Sequence, residues 1–245
     1  MWALTLLDLT CMYLPVLAFA SPASVFIPVF CPAMWSAVHR TKFDEAYESV
    51  EANNYLDDTL VLIEIPPLAF TAQMVSCYLF SIYAYHFQKW TLFIPNSVGF
   101  LLGFLWSSLY PRKVSQWSLL KQWKIQYCLS LFIIAMGPLT VSSLPYLSSS
   151  VAAAIGVVMC SYPLPAMQQS LKENNPNLLG SQFMNIAMLI CCSAWVIHSS
   201  PLVEFDAYVL LANSVGVVVQ VLALLIRCII AKNNVSLLSE EAPLL

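Results

Sequence analysis

Two asparagines in matching sequence contexts are the residues best suited to bind a ligand. The tetrapeptide Asn-Ser-Val-Gly begins at Asn96 and again at Asn213, and an apolar run follows each copy. A carboxamide both donates and accepts hydrogen bonds, as hydroxyl groups do, so two facing amides can hold an uncharged, hydroxylated solute. The alternative is that each amide binds backbone beside a helix irregularity, which Pro95 predicts next to Asn96.

The other chemically active residue types show no grouping in the sequence. The eight cysteines form no CxxC motif, and the three histidines have neither metal-ligand spacing nor an obvious acid or nucleophile partner. The cysteines lie in apolar segments, where a thiol behaves as a small hydrophobic group. We therefore expect no metal, no cofactor, no structural disulfide and no enzyme activity.

The elements that position the asparagines are predicted to lie in a membrane. The chain has 245 residues, of which 60% are hydrophobic and 9% charged, whereas a soluble domain carries about 25% charged residues. An ordinary cytosolic enzyme is excluded, because this composition would leave too much apolar surface in water. The near-neutral charge balance, without a basic patch, excludes nucleic acid as a partner.

Charge-free stretches divide the chain into seven predicted spans, since roughly 20 apolar residues suffice to cross a bilayer. Stretch 125–171 has 47 residues, so it must turn back on itself, and Pro145 with the serines after it marks the turn. Lipid-exposed backbone requires helices, which predicts an all-α, polytopic membrane protein. The predicted spans are 7–36, 61–85, 91–111, 125–145, 149–172, 178–199 and 207–231.

Orientation follows from the basic residues. Nine of the ten Lys and Arg residues fall on one predicted side of the membrane, and only Lys89 falls on the other. The positive-inside rule therefore predicts an outside or lumenal N-terminus and a cytosolic C-terminus, in the plasma membrane or an endomembrane. Ala18-Phe19-Ala20 resembles a signal-peptidase site, but no basic segment precedes it and the apolar run continues to Trp35, which favours an uncleaved first span.

An internal repeat relates spans 1–3 to spans 5–7. Besides the asparagines, Pro22 in span one and Pro163 in span five lie in similar contexts. Span 4 makes the two three-helix units parallel, an arrangement that leaves a cleft between them. The acidic loop 38–60 is predicted to be a solvated insert in the first unit. The predicted divisions are 1–111 for the first unit, 112–148 for a cytosolic loop and linker helix, 149–231 for the second unit and 232–245 for a cytosolic tail.

These features resemble the SWEET family of sugar transporters, distant relatives of the PQ-loop carriers. The resemblance rests on the 3-1-3 layout, the paired asparagines with Pro95, the Tyr-Pro-Leu around Pro163, and Trp195, and it covers nearly the whole chain apart from loop 38–60 and the tail. It implies passive uniport of a neutral mono- or disaccharide by alternating access. The implied partners are the sugar and the lipid bilayer, and a homo-oligomer is compatible with the family although the sequence itself does not show one.

The resemblance also assigns roles to individual residues. Asn96 and Asn213 match the asparagines of the family's central pocket. Trp195 matches the tryptophan that stacks on the sugar, and the alternative is an interfacial tryptophan. Its counterpart in the first unit, a position that helps to set pocket size in the family, is Cys77 or Tyr78 depending on the alignment.

Prolines at equivalent points of both units are the implied hinges, because proline removes a helical hydrogen bond and leaves a kink. Pro22, Pro163 and either Pro66 or Pro67 match three of the four family positions, whereas the fourth is Ser181 in this chain. The hinge pattern therefore departs from the family's symmetry at Ser181.

Four acidic residues lie near predicted span ends, Asp8, Glu64, Glu204 and Asp206, and none lies near the middle of a span. A charge at the bilayer centre is costly, and a proton-coupled carrier usually places a titratable group in the pathway. The charge-free interior therefore predicts uncoupled facilitated diffusion, with Asp8 as the residue to test for proton coupling.

A PQ-loop-type carrier of another small solute, such as an amino acid, and a seven-helix cargo receptor are the alternatives. No Pro-Gln dipeptide occurs, and no mid-span carboxylate is predicted. A receptor for a peptide carboxylate needs basic groups in its cavity, but all Lys and Arg lie in loops or at span ends. A retinal-binding receptor is excluded because retinal is held through a lysine in the seventh span, and 207–231 contains no lysine.

Overall fold

The computed structural model describes residues 2–20, 67–112, 114, 116–161, 163–179 and 182–240. All regular secondary structure in these residues is helical, which confirms the predicted all-α fold. The predictions on loop 38–60, Pro22, Pro66 and Ser181 lie outside the described residues.

The described residues form eight helices. They are α1 (Trp2–Ala20), α2 (Leu68–His86), α3 (Trp90–Leu109), α4 (Trp117–Ser143), α5 (Pro145–Ser161), α6 (Leu164–Glu173), α7 (Gln182–His198) and α8 (Ala207–Glu240). Two short 3₁₀ helices, Tyr110–Arg112 and Pro176–Leu179, follow α3 and α6.

Five segments in the described residues are long and apolar enough to cross a membrane. They are Leu68–His86, Trp90–Arg112, Trp117–Ser143, Pro145–Glu173 and Ala207–Asn233. Two shorter apolar helices, Leu6–Leu17 and Asn185–His198, overlap the first and sixth predicted spans. The chain is therefore a multi-pass helical membrane protein.

Two helices extend beyond the spans predicted from charge. Helix α4 begins at Trp117 rather than near 125, and α8 continues to Glu240, through much of the segment predicted as a tail. Lysine can continue a helix past the hydrocarbon because its long stem carries the ammonium to the interface. In α4, Lys124 Nζ lies 5.4 Å from the ring centroid of Trp117.

Prolines mark two helix boundaries among the predicted hinge positions. Pro163 separates α5 from α6 and caps the N-terminus of α6. Pro67 is fully buried and directly precedes α2, where its carbonyl accepts hydrogen bonds from the backbone N–H and the hydroxyl of Thr71 at 3.1 and 3.0 Å. Pro67 and Pro163 thus each lie immediately before the first residue of a helix.

Six helices close a ring built from two similarly ordered units. Helix α3 packs against both α1 and α2, and α8 packs in the same way against both α5 and α7. The units meet where α2 contacts α5 and where α1 contacts α7. These two interfaces are equivalent, because α1 of the first unit corresponds to α5 of the second and α2 corresponds to α7. Helix α4 packs against α2 and α5, so it bridges the units.

Two glycines fix the register between the units. A Cβ atom at Gly99 would lie 2.7 Å from Cys77 Sγ, and one at Gly216 would lie 2.6 Å from Cys192 Sγ. The third helix of each unit therefore approaches the second helix at an equivalent point, with a cysteine against a glycine. This contact pairs Cys77 with Cys192, and Gly99 with Gly216.

The segments that connect α2 to α3 and α7 to α8 lie together at one end of the bundle. The end of α2 lies near the start of α5, where the rings of Phe87 and Tyr146 are 5.4 Å apart. The residues before α3 and α8 meet through Lys89 and Asp206. We call this end the N-terminal face, because Asp8 near the start of α1 also lies there, beside His198.

Candidate functional site in the central cavity

A cavity of about 90 Å³ lies between the two units. All six helices of the ring contribute to its lining. Four of the predicted site residues line it: Asn96, Asn213, Trp195 and Cys77. Tyr78 does not. Its ring instead lies 5.1 Å from that of Phe100, and its Cε1 is 2.7 Å from the position a Gly137 Cβ would take.

The lining side chains come in equivalent pairs, which extends the repeat from the backbone to the cavity wall. Three pairs of residues set the register. Cys77 and Cys192 align α2 with α7, and Asn96 and Asn213 align α3 with α8. Pro22 and Pro163, matched in the sequence, align α1 with α5. The pairs are Pro15 and Gly156, Phe19 and Cys160, Ser76 and Cys191, Cys77 and Cys192, Phe80 and Trp195, Leu92 and Val209, Pro95 and Ala212, and Asn96 and Asn213. The remaining lining residues, Met159 and Met188, belong to the second unit.

This register assigns Phe80, rather than Cys77 or Tyr78, as the counterpart of Trp195. Both aromatic side chains are buried, with exposures of 7% and 6%, and both line the cavity from opposite units. The sequence contains a signal for this pairing, since each unit has a cysteine followed three residues later by the aromatic residue. The spacing of the two asparagines, applied to the second helices, instead pairs Trp195 with Tyr78, which is why the sequence does not single out Phe80.

The two asparagines have the same geometry in both units. Asn96 Nδ2 donates to the Leu92 carbonyl at 2.8 Å, and Asn213 Nδ2 donates to the Val209 carbonyl at 2.9 Å. The backbone interpretation is therefore correct for one N–H of each amide. Within the described part of the chain neither Oδ1 has a hydrogen-bond partner, so each amide retains an acceptor and a second N–H beside the cavity.

An ion pair lies between the cavity and the N-terminal face. Lys89 Nζ contacts Asp206 Oδ2 at 2.9 Å and Glu204 Oε1 at 3.3 Å. Tyr83 Oη also donates to Asp206 Oδ2 at 2.9 Å. A small void beneath these groups shares Leu92, Trp195 and Val209 with the cavity wall. The void and the ion pair therefore adjoin the cavity at this face.

The charges of this pair are mutually stabilised. Burial by itself would lower the pKa of Lys89, but its contacts with Asp206 and Glu204 outweigh burial and raise that pKa above its usual value. Asp206 is buried, and its second oxygen accepts from the backbone N–H groups of Tyr208 and Val209 at 3.2 and 3.3 Å. The carboxylate thus also caps α8, where the helix dipole favours a negative charge.

A second polar contact on this face corrects the expectation that the histidines lack an acid partner. His198 Nε2 lies 3.0 Å from Asp8 Oδ1, although the two residues are 190 positions apart in the chain. The ring of His198 also lies 5.4 Å from that of Trp195. This contact joins α7 to α1, and hence the second unit to the first.

Comparison with known proteins identifies a shared fold. No family model and no curated protein matches the sequence. Among solved structures, the chain is similar to a eukaryotic SWEET transporter, with a TM-score of 0.57 and 12% sequence identity over 93% of this chain and 99% of that chain. The chain therefore has a SWEET-like fold.

Proposed function

We propose that the protein carries a neutral mono- or disaccharide passively across the membrane by alternating access. The observation that carries this proposal is the paired lining of the central cavity, to which Phe80 and Trp195 contribute aromatic surface. The carboxamide oxygens of Asn96 and Asn213 have no hydrogen-bond partner among the described residues. The SWEET-like fold supports a transporter of this kind.

The chemistry of the lining suits an uncharged polyol. Each asparagine Oδ1 accepts a hydrogen bond from a sugar hydroxyl, and the remaining N–H donates to one. The rings of Phe80 and Trp195 cover the apolar C–H faces of the sugar. The cavity wall in the described residues contains no Asp, Glu, Lys, Arg or His, so an ionic substrate would be desolvated without a charged partner.

Alternating access requires that the cavity opens to one side at a time. In this proposal the first unit (1–111) and the second unit (149–231) rock about the cavity, while 112–148 connects them. Opening towards the N-terminal face separates Lys89 from Asp206 and Tyr83 from Asp206, because each contact joins the two units. Pro67 and Pro163, at helix boundaries, are proposed hinges together with Pro22, and Pro66 remains the alternative to Pro67.

Uniport rather than proton coupling follows from the same lining. No carboxylate or histidine of the described residues contributes to the cavity wall, so substrate binding and proton binding have no shared site. The N-terminal face is proposed to lie outside or in the lumen, because the basic residues concentrate on the opposite side.

Reconstituted vesicles test this function. We expect counterflow of labelled glucose or sucrose with the unmodified protein, and loss of at least about 90% of it in Asn96→Ala and in Asn213→Ala, as expected when a binding hydrogen-bond pair worth ~1.5 kcal/mol is removed. Asn185→Ala is the matched control, since Asn185 donates to the Leu179 carbonyl at 3.3 Å and does not line the cavity. Normal transport by both cavity variants would exclude the proposed site.

A further inference from the structure

His198 and Asp8 form a polar contact between the two units at the N-terminal face. His198 is 7% exposed, whereas the Asp8 side chain is 46% exposed. Their 3.0 Å contact lies in the α1–α7 interface, which is one of the two places where the units meet. Any motion that opens this face by separating α1 from α7 must therefore break it.

The equivalent position in the first unit holds a similar contact. Tyr83 lies six residues after Cys77, and His198 lies six residues after Cys192. Each side chain reaches across to a carboxylate of the other unit, Tyr83 to Asp206 at 2.9 Å and His198 to Asp8 at 3.0 Å. The two contacts differ in chemistry, because imidazole changes its charge near neutral pH and a phenol does not.

Charged groups of both units surround His198. Lys89 is the cation that lines the small void next to His198, and Glu204 and Asp206 line the same void. From α1, Asp8 accepts its hydrogen bond, and the uncharged thiol of Cys11 lies near Asp8. His198 is also the last residue of α7, where the helix dipole favours a positive charge. The charged groups around His198 are therefore the three carboxylates of Asp8, Glu204 and Asp206 and the ammonium group of Lys89.

We propose that His198 and Asp8 form a pH-dependent latch on the N-terminal face. Protonation of His198 converts the hydrogen bond between a neutral imidazole and the Asp8 carboxylate into an ion pair, which exists only while α1 and α7 are together. Acidic conditions on this face thus stabilise the closed conformation and slow the opening step of each transport cycle. This inference rests on the proposed transport function, because its readout is sugar flux.

The latch is regulatory and needs no proton to cross the membrane. His198 and Asp8 are absent from the cavity wall, and the indole of Trp195 lies beside the imidazole of His198. His198 takes up its proton from the N-terminal face and releases it to the same face. Flux is therefore set by the pH at that face and not by the pH difference across the bilayer.

The test measures sugar counterflow in reconstituted vesicles at pH 7.5 and at pH 5.5, with the same pH on both sides. We expect flux through the unmodified protein to fall about five-fold at the lower pH, the change produced by roughly 1 kcal/mol of additional closed-state stability. In His198→Gln the fall should be less than about 1.5-fold. His86→Gln is the matched control, because His86 is an exposed histidine at the end of α2, and it should behave as the unmodified protein does.

Asp8→Asn provides a second variant in case His198→Gln fails to fold. The amide oxygen still accepts a hydrogen bond from imidazole but carries no charge, so the pH effect should again be lost. A five-fold fall in either folded variant, or its absence in the unmodified protein, overturns the latch while leaving the transport function intact. Absence of flux at both pH values overturns the transport function itself, and sugar accumulation driven by a pH difference overturns the regulatory interpretation in favour of coupling.

Discussion

Lys89 and Asp206 occupy equivalent positions in the two units and meet at 2.9 Å across the N-terminal face. Each residue lies seven positions before the asparagine of its unit and immediately precedes the third helix of that unit. The repeat has thus placed opposite charges at one duplicated position. The two units are therefore joined at this face by an ion pair between residues that are equivalent in position but opposite in charge.

Removal of Lys89 should open this face. In Lys89→Ala the buried carboxylate of Asp206 loses its cation, and breaking a buried pair by removing one partner costs about 3–5 kcal/mol. We expect a membrane-impermeant thiol reagent, added from the N-terminal side, to modify Cys77 and Cys192 about ten-fold faster than in the unmodified protein. Peptide mass spectrometry measures this rate. Lys121→Ala, on exposed α4 surface, is the control, and an unchanged rate in Lys89→Ala would show that the pair does not close the cavity.

Phe80 should contribute to sugar binding as strongly as Trp195. Replacing either aromatic side chain by alanine removes ring surface from the same cavity, and an aromatic contact of this kind is worth about 0.5–1.5 kcal/mol. We expect the KM for sugar to rise by up to about ten-fold in Phe80→Ala and in Trp195→Ala. Trp117→Ala, which removes a 71% exposed indole, should leave KM unchanged. A normal KM in Phe80→Ala would refute the pairing of Phe80 with Trp195.

Alanine at either register glycine should destabilise the fold by about 1–3 kcal/mol, the usual cost of overpacking. The new methyl at Gly216 would meet Cys192 Sγ at 2.6 Å, and that at Gly99 would meet both Cys77 Sγ at 2.7 Å and the Phe19 ring at 2.6 Å. Thermal unfolding in detergent measures the loss.

Second-site substitutions distinguish these two glycine contacts. Cys192→Ala should restore most of the stability of Gly216→Ala, because it removes the sulfur at the shortest distance. Cys77→Ala should restore Gly99→Ala only in part, because the Phe19 ring remains in place. Equal rescue at both positions would contradict the close approach of Phe19 to Gly99.

Sugar uptake should be independent of a proton gradient. The described cavity wall offers no carboxylate or histidine to a proton, so a proton uncoupler should leave uptake unchanged at a fixed sugar gradient and fixed pH. Labelled sugar uptake with and without the uncoupler tests this expectation. Loss of uptake on uncoupling would identify the protein as a proton-coupled carrier.

The ion pair between Lys89 and its two acidic partners should weaken only in alkali. The pKa of Lys89 is raised in the folded protein, so its contribution to the closed state is complete below the usual lysine pKa of about 10.4 and is lost as pH rises through the higher folded value. Because thiolate formation and the latch speed labelling in every variant as pH rises, the measurement is the ratio of the Cys77 labelling rates in Lys89→Ala and in the unmodified protein at the same pH. This ratio should stay at about ten-fold up to about pH 10 and fall towards one above it. A fall of the ratio near neutral pH would show that another group controls this contact.

Much of the site is visible in the repeat. Asn96 and Asn213 share a tetrapeptide, and helices with the same 3.6-residue period and the same neighbours place them at equivalent depths. Trp195 and Cys77 also reach the cavity as predicted. The sequence does not single out Phe80, and it offers Tyr78, which does not line the cavity. Adjacent residues of a helix point about 100° apart, so a shift of one residue in the alignment changes which side chain is expected to face the cavity.

The sequence by itself determined the membrane location, the helical spans and the duplication, because hydropathy, charge and repeated motifs are local properties of the chain. The tertiary structure alone decided which helices meet and which side chains pair across them. His198 and Asp8 are 190 residues apart, and Tyr83 and Asp206 are 123 apart. Contacts over such separations depend on how the helices are arranged in space, which no local pattern encodes.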